Sequence, residues 1–496
     1  LKTKQVSQLP EDIQTAENGI KHRMHTLEGF VRNERGINQP DLFKLNKWQT
    51  ELILLKNRED SLMQAIHQQF PDYQAMKFDL PSTSLALLQS GIASDEAVLS
   101  YTLAENNLYV FAIMTDTAFF FRKQTGEGFF QLLETMRRQL SGQMLASYSI
   151  HDYQEYLTTA HELYRYLVEP VSQHLGTRKL IIVPDKQLAY LPFEALLTNK
   201  TAPATIDFVS LPYLFHNHVM RYAYTVTLDQ YLHNRQPEST NNKMLALAPE
   251  YSAIVVENNN DTINKLMPLP WAVEEVKSLA KSYQTDVYVG GLANKQLFNQ
   301  KAPHYKVLHL AMHATIDDEN PMFSKLYFSA ADRIEVLETH ELYAMRLPAA
   351  FAFLGACNSG DGPIQKGEGV MSFARGFLYA GVQSLVMALW EVDDQTASRL
   401  VVSFYDLASK AYPLDEALQR AKQTYLATAD NLKAHPYYWA GYIQLGDNEP
   451  ISLQTYNPYR RIAYMIIGLI MLLAGVVYML KRKKLFSKHY GGHDSP

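Results

Sequence analysis

From Met244 to Leu426 short apolar runs alternate with segments of helical spacing, a pattern that few architectures satisfy. Met244 to Ala248 and Thr285 to Val289 read as strands. Pro270 opens a helix carrying Val273, Val276 and Leu279, since proline suits a first helical turn. Val307, Leu308 and Leu310 make a third strand, Phe351 to Ala356 a fourth and Leu385 to Leu389 a fifth, with the helix-like Val370 to Tyr379 before the last. Two parallel strands need a long crossover, usually a helix, so strands joined in this way lie parallel. The alternation predicts an α/β fold with a mostly parallel sheet and helices on both faces.

The third and fourth strands end at chemically loaded residues. His313 follows one, just before the polar turn Asp317, Asp318, Glu319, Asn320, and so reads as lying on an exposed strand end. The other runs into Cys357-Asn358-Ser359-Gly360-Asp361-Gly362, and Cys357 is the single cysteine in 496 residues. In a parallel sheet, ligands and catalytic groups collect beyond the carboxyl ends of the strands. Neighbouring strands would then aim an imidazole and a thiol at one point. A thiolate is the nucleophile and a thiol is mostly protonated at neutral pH, so a histidine beside it supplies the base. The amides of Ala314 and Cys357 are the expected oxyanion donors, with Gly355 and Gly360 permitting tight backbone near the nucleophile.

Plainer readings exist for each residue: a satisfied core histidine for His313 and a small buried hydrophobe for Cys357, the latter opposed by the polar loop that follows. His309 and His313 stand four apart, but a shared metal would need a helix there, so no metal site is expected and His309 reads as a strand residue in or beside the core. Glu368, Asp393 and Asp394 are expected at the crevice or, equally, in solvated loops and helix caps, Asp394 standing where it would cap a helix from Thr396 to Tyr405.

Taken together, KVLHLAMHA, AFAFLGACNSGDG, Gly367-Glu368-Gly369, SLVMALWEVDD, LIIVPDKQLAYLPFEALL (Leu180 to Leu197) and LPWAVEEVKSLA (Leu269 to Ala280) resemble the CHAT peptidases, a caspase-like and separase-like group of cysteine peptidases. A caspase-type signature sets the histidine about 50 residues before the cysteine; here the spacing is 357 − 313 = 44. The resemblance runs from about residue 95 to 447. It implies a caspase-like fold, a Cys357 nucleophile with a His313 base, no metal or organic cofactor, and a pseudo-protease half before the catalytic one. By the same resemblance the substrate is a protein, pore-forming gasdermin-like proteins being substrates of some relatives, in bacterial stress or defence signalling. An acidic residue near the cleft receives a basic P1 side chain in separase-like relatives, for which Glu391, Asp393, Asp394 and Asp361 are the candidates, with Glu368 a further substrate-binding carboxylate expected at the crevice.

These readings divide the chain into a helical hairpin (1–78), a first α/β subdomain (79–235), a catalytic subdomain (236–448), a linker (449–461), a transmembrane helix (462–480) and a basic tail (481–496). The hairpin rests on Ile13, Ile20, Met24, Leu27 and Val31 and then Leu45, Trp48, Leu52, Leu55, Leu62 and Ile66. It reads as a helical strut packed on the rest of the chain, its self-similarity being too poor to assign a repeat of about 34 residues, or, by family resemblance, as the end of a tetratricopeptide-type array. From Ala97 a β-meander turning at Glu105-Asn106-Asn107 leads into helices around Phe129 to Gln143 and Tyr153 to Val171. Ile462 to Leu480 carries no charge, is long enough to span about 30 Å of hydrocarbon, and lies between Arg460-Arg461 and Lys481-Arg482-Lys483-Lys484. The positive-inside rule puts the tail in the cytoplasm and the peptidase outside; a cytoplasmic, tail-anchored peptidase is the other arrangement. Leu1 at the start predicts further sequence upstream, a signal peptide or more repeats. A net charge of −5 argues against a chain-wide polyanion-binding role, and no nucleic-acid partner is expected. A lone cysteine excludes an intrachain disulfide.

The sequence thus reads as a membrane-anchored cysteine endopeptidase, with a catalytically silent caspase-like scaffold or sensor at the membrane as the alternative.

Overall fold

The computed structural model describes residues 11–35, 40–69, 84–140, 142–201, 205–235, 241–251, 254–258, 261–318, 321–330, 333–355, 369–456, 471 and 473–479. Cys357, Asp361 and Glu368 lie outside the described residues, as do the basic tail and most of 462–480.

The β-branched and aromatic segment after residue 95 forms an antiparallel meander of β1 (Glu96–Ala104), β2 (Asn107–Ile113) and β3 (Ala118–Gln124). Its first turn closes through Glu105 and Asn106, with Glu105 at a φ of 52°. β4 (Lys179–Val183) and β5 (Met220–Tyr222) follow, then β6 (Asn241–Ala248), the hairpin β7 (Ile254–Asn258) and β8 (Asp261–Leu266), and β9 (Thr285–Val289). β10 (Tyr305–Leu310) leads into a small antiparallel sheet of β11 (Ala314–Thr315), β12 (Lys325–Ser329) and β13 (Ile334–Glu338). β14 (Phe351–Leu354), β15 (Ser384–Ala388) and β16 (Tyr442–Gly446) complete the strands among the described residues.

Eleven of these strands form one sheet in the order β3-β2-β1-β4-β5-β16-β15-β14-β10-β6-β9. The pairs are parallel except within the meander and between β15 and β16. The fold is mixed α/β around a large, mostly parallel sheet. Strand direction reverses between β15 and β16, so the carboxyl ends of β6, β10, β14 and β15 lie at one edge and those of β1, β4 and β5 at the other. No residue of β14, β15 or β16 is exposed, the pattern of strands covered on both faces. β3 alternates exposed and half-buried residues, as an edge strand does.

Helices α1 (Glu11–Arg35) and α2 (Leu42–Gln69) pair through an Arg23–Glu51 ion pair at 2.7 Å and the rings of Phe30 and Trp48, 5.4 Å apart. α3 (Ile150–Leu167) starts at a capping box between Ser149 and Asp152. α4 (Pro270–Ser282), α5 (Gly369–Ala380), α6 (Asp394–Ser409) and α7 (Leu414–Thr428) are the longer helices of the second half. The two halves share one interior. Trp439, fully buried and late in the chain, packs on Tyr213 and Phe215 of the first half at centroid distances of 5.0 and 4.8 Å.

Among the described residues no helix is long and apolar enough to cross a membrane. Within 462–480, residue 471 and residues 473–479 are helical, and Met471, Leu473, Val476, Val477, Tyr478 and Met479 are all exposed.

Candidate active site

β10 and β14 lie side by side and parallel, as the apolar runs predict, with Val307 opposite Phe351 and Leu310 opposite Leu354. Hydrogen bonding continues past both strand ends. The amide of Gly355 donates to Leu310 O at 2.9 Å, and that of Ala311 donates to Leu247 O at 3.0 Å on the other side. A Cβ at residue 355 would stand 3.3 Å from Ala311 Cα, so glycine here lets the two exits run close together. Tyr442 donates its hydroxyl to Gly355 O at 3.0 Å. The last described residue before Cys357 is therefore held through both its amide and its carbonyl.

His313 is not on an exposed strand end. Its relative exposure is 7%, and three groups grip it. Met267 O, just past β8, lies 2.7 Å from Nε2. A carbonyl can only accept, so Nε2 carries the proton and, in the neutral ring, Nδ1 carries the lone pair. Among the described residues nothing hydrogen-bonds Nδ1. The Tyr251 hydroxyl accepts from the His313 amide at 3.2 Å and donates to Tyr327 O at 2.6 Å, and its ring lies 4.7 Å from the imidazole. Burial holds the Tyr251 phenol well above its ordinary pKa, which keeps the donor proton in place. On the far side the amide of Tyr327 donates to His313 O at 3.0 Å.

That last bond fixes how the next residue faces. In an antiparallel ladder hydrogen-bonded and non-hydrogen-bonded pairs alternate, so with His313 and Tyr327 bonded, Ala314 and Leu326 form a non-bonded pair. The Ala314 amide points away from β12. Sequence reasoning named Ala314 but missed Tyr251, Met267 and Tyr442. The carbonyl of Met267 leaves no trace in a sequence, and Tyr251 lies outside every apolar run.

Beyond the undescribed segment, Asp318 anchors the start of α5: its Oδ1 accepts from the Gly369 amide at 3.1 Å and from the Tyr190 hydroxyl at 3.0 Å. Tyr190 belongs to the LAYLPFEALL segment of the first half. Four residues later Glu194, buried, bonds Lys422 of α7 at 2.8 Å and accepts from the Tyr222 hydroxyl.

The two aspartates near β15 are engaged as helix caps. Asp393, not Asp394, caps α6, accepting from the Thr396 amide at 3.1 Å and hydroxyl at 2.7 Å, with Lys433 Nζ 3.4 Å away. Burial pushes its carboxyl up, but the Thr396 bonds and Lys433 outweigh this and hold it below the ordinary value. Asp394 reaches across to α4 and accepts from the Trp271 amide at 2.8 Å, filling an N-terminal donor that Leu269 leaves unbonded. Burial raises its pKa over the effect of that amide. His309 is fully buried, with Nε2 2.8 Å from Glu275 of α4 and Nδ1 3.1 Å from the Tyr405 hydroxyl. The two histidines thus have separate partners.

The CHAT domain model matches residues 157–447, more than half of the chain. Tetratricopeptide repeat protein 28 of Homo sapiens is 23% identical over 224 residues, 38% of this chain and 9% of that protein, and its Mus musculus counterpart matches over the same shares. The chain therefore spans less than a tenth of the length of these curated relatives. Two crystal structures of the Saccharomyces cerevisiae separase–securin complex align at 10% identity with TM-scores of 0.45 and 0.34, covering 91% and 89% of this chain and 38% and 28% of theirs. On the domain match, the chain belongs to the CHAT domain family.

Proposed function

We propose that this protein is a cysteine endopeptidase that works through Cys357 and His313. The observation that carries the reading is the register of β10 and β14: paired residues differ by 351 − 307 = 44, the separation of His313 from Cys357. Each residue stands three positions past its strand, since 313 − 310 = 357 − 354 = 3. That agreement between strand register and sequence spacing supports pairing the two residues in one site.

The tautomer of His313 suits the chemistry. With Nε2–H held by Met267 O, Nδ1 is the atom that takes the Cys357 proton. The thiolate adds to the substrate carbonyl, and the Ala314 and Cys357 amides stabilise the oxyanion. The imidazolium returns its proton to the leaving amine, giving a thioester and a new amino terminus. Water, deprotonated by the same imidazole, releases the acid and restores the thiol.

Exposed apolar side chains on the described helical turns of 471–479, together with the uncharged run and its basic flanks, support a membrane anchor at 462–480. A second reading, a silent scaffold that binds partners, is favoured by a relative named for tetratricopeptide repeats and by the α1–α2 pair. An electrophilic peptide probe separates the two. Covalent labelling that is lost in Cys357→Ala and in His313→Ala supports the peptidase, and a parent chain that neither labels nor cleaves any peptide in a degenerate library rejects it.

A further inference from the structure

Both groups that orient the His313 ring and backbone sit at the base of one hairpin. Tyr251 precedes β7 and Met267 follows β8. Their seat is a small core separate from the main one, in which Tyr251, Leu266 and Tyr327 are buried against Leu269, Ile334 and Val336. Within the β11–β12 ladder the His313 amide would ordinarily donate straight to Tyr327 O. The phenol stands between them instead, accepting from one and donating to the other. A side chain taking a ladder position widens the strands locally and fixes their separation by its own bond lengths. The same ring covers the imidazole at 4.7 Å.

We infer that Tyr251 is a positioning residue for His313: its hydroxyl sets the backbone height of the histidine and its ring the tilt of the imidazole, so that Nδ1 faces the nucleophile. This rests on the peptidase reading above and extends it. Tyr251 touches no reacting atom. Its removal shifts the base without changing what binds the substrate, so the loss falls on kcat and not on KM. In Tyr251→Phe the ring stays and only the inserted hydroxyl is lost.

A single cysteine makes the test direct, because iodoacetamide alkylation of the full chain, followed by mass spectrometry, reports on Cys357 alone. At pH 7 the expected result for Tyr251→Phe is alkylation slowed roughly threefold to tenfold and kcat for a fluorogenic peptide lowered about tenfold with KM unchanged. Tyr251→Leu, which removes the covering ring as well, is expected to lose more. Val336→Ala loosens the same small core but removes neither hydrogen bond of the phenol; it should lower the melting temperature yet leave alkylation rate and kcat at parent values. If Tyr251→Phe matches the parent in both rates, or Val336→Ala reproduces its losses, Tyr251 is only a structural residue and the inference falls. His313→Ala distinguishes that failure from failure of the dyad. Should His313→Ala alkylate as fast as the parent, the pairing with Cys357 is wrong, and the Tyr251 inference falls with it.

Discussion

Gly369 opens α5 and is the first described residue after Cys357, and a methyl group there has no room. A Cβ would stand 2.6 Å from Ile316 Cγ2, 3.1 Å from the Tyr190 hydroxyl and 3.2 Å from Asp317 O. Carbon atoms pack at about 3.5 to 4.0 Å, so Gly369→Ala must move the Ile316 methyl or the helix start by about 1 Å. Overpacking of this kind costs about 1 to 3 kcal/mol, offset by up to about 1 kcal/mol from the lower backbone entropy of alanine. The expected net loss is about 1.5 kcal/mol, or about 2 °C in Tm at about 2.1 cal/mol/K of unfolding entropy per residue over the roughly 350 residues that share one interior. Gly128→Ala is the matched control. It lies in the helix Glu127–Gln139 with nothing within 4 Å of the added carbon, and it should stabilise by about 0.5 to 1 kcal/mol. Differential scanning calorimetry reads both signs. Because Asp318 accepts from the Gly369 amide, twelve residues after Cys357, displacement of the helix start should also slow alkylation of Cys357, and in Gly369→Ala alone. A Gly369→Ala chain that melts at or above the parent would refute the packing argument. One that melts lower but alkylates normally would refute the link to the site.

His313→Ala and Cys357→Ala should each abolish peptide cleavage. His313 is buried, so its truncation also leaves Met267 O unpaired at a cost of about 1 to 3 kcal/mol, visible in a parallel thermal melt. Lys422→Met strands the buried Glu194 carboxylate and should destabilise by about 3 to 5 kcal/mol in urea titration, whereas Lys422→Met with Glu194→Gln should lose less than the sum of the two single changes; additivity would show the pair to be uncoupled. The hydrogen bond that His233 Nδ1 donates to the Asp447 carboxylate, against burial, raises the pKa of His233. Its contribution is therefore present below about pH 6.5 and is lost as pH rises through the folded value. His233 is half-exposed, so His233→Asn should lower stability by less than about 1 kcal/mol at pH 5.5 and leave it unchanged at pH 9, with equal effects at both pH values counting against the ion pair. In a P1-scanning peptide library a preference for Arg or Lys is expected. Asp393→Asn and Asp394→Asn should weaken it less than Asp361→Asn, because both are occupied as helix caps, and a larger effect from the caps would reverse that assignment.

Strand positions were legible because the catalytic-half strands are largely apolar runs, that of β10 interrupted by the buried His309. Val307 to Leu310, Phe351 to Leu354 and Ser384 to Ala388 form adjacent parallel strands as their spacing predicts. The capping role of Asp394 was read one helix too near. Sequence distance favoured the helix expected to begin two residues on, whereas the acceptor of the Trp271 amide lies 123 residues along the chain. Polar pairs at such range carry no local signature. The expectation that His313 sits exposed failed for a related reason. A strand end followed by turn residues looks solvent-facing, but the β7–β8 hairpin, whose ends bring Tyr251 and Met267 over the imidazole, lies far from it in sequence.

The reversal between β15 and β16 bears on what the first half contributes. The carboxyl ends of β4 and β5 lie at the edge opposite those of β10 and β14, so the first half does not reach the site through its strand ends. It reaches it through the loop after β4. Tyr190 bonds the same Asp318 oxygen that holds the start of α5, and Glu194 ties that loop to α7 through Lys422. These two residues make the LAYLPFEALL segment a joint between halves: one contact braces Asp318, which holds the start of α5, and the other locks the loop to the body of the second half. The division at residue 235 therefore separates stretches of sequence, while the sheet, the Trp439 contact and these two bonds join them in one interior. Removing the first half would expose the β16 edge and leave Lys422 buried without its carboxylate, so the second half is not expected to fold alone into a competent peptidase.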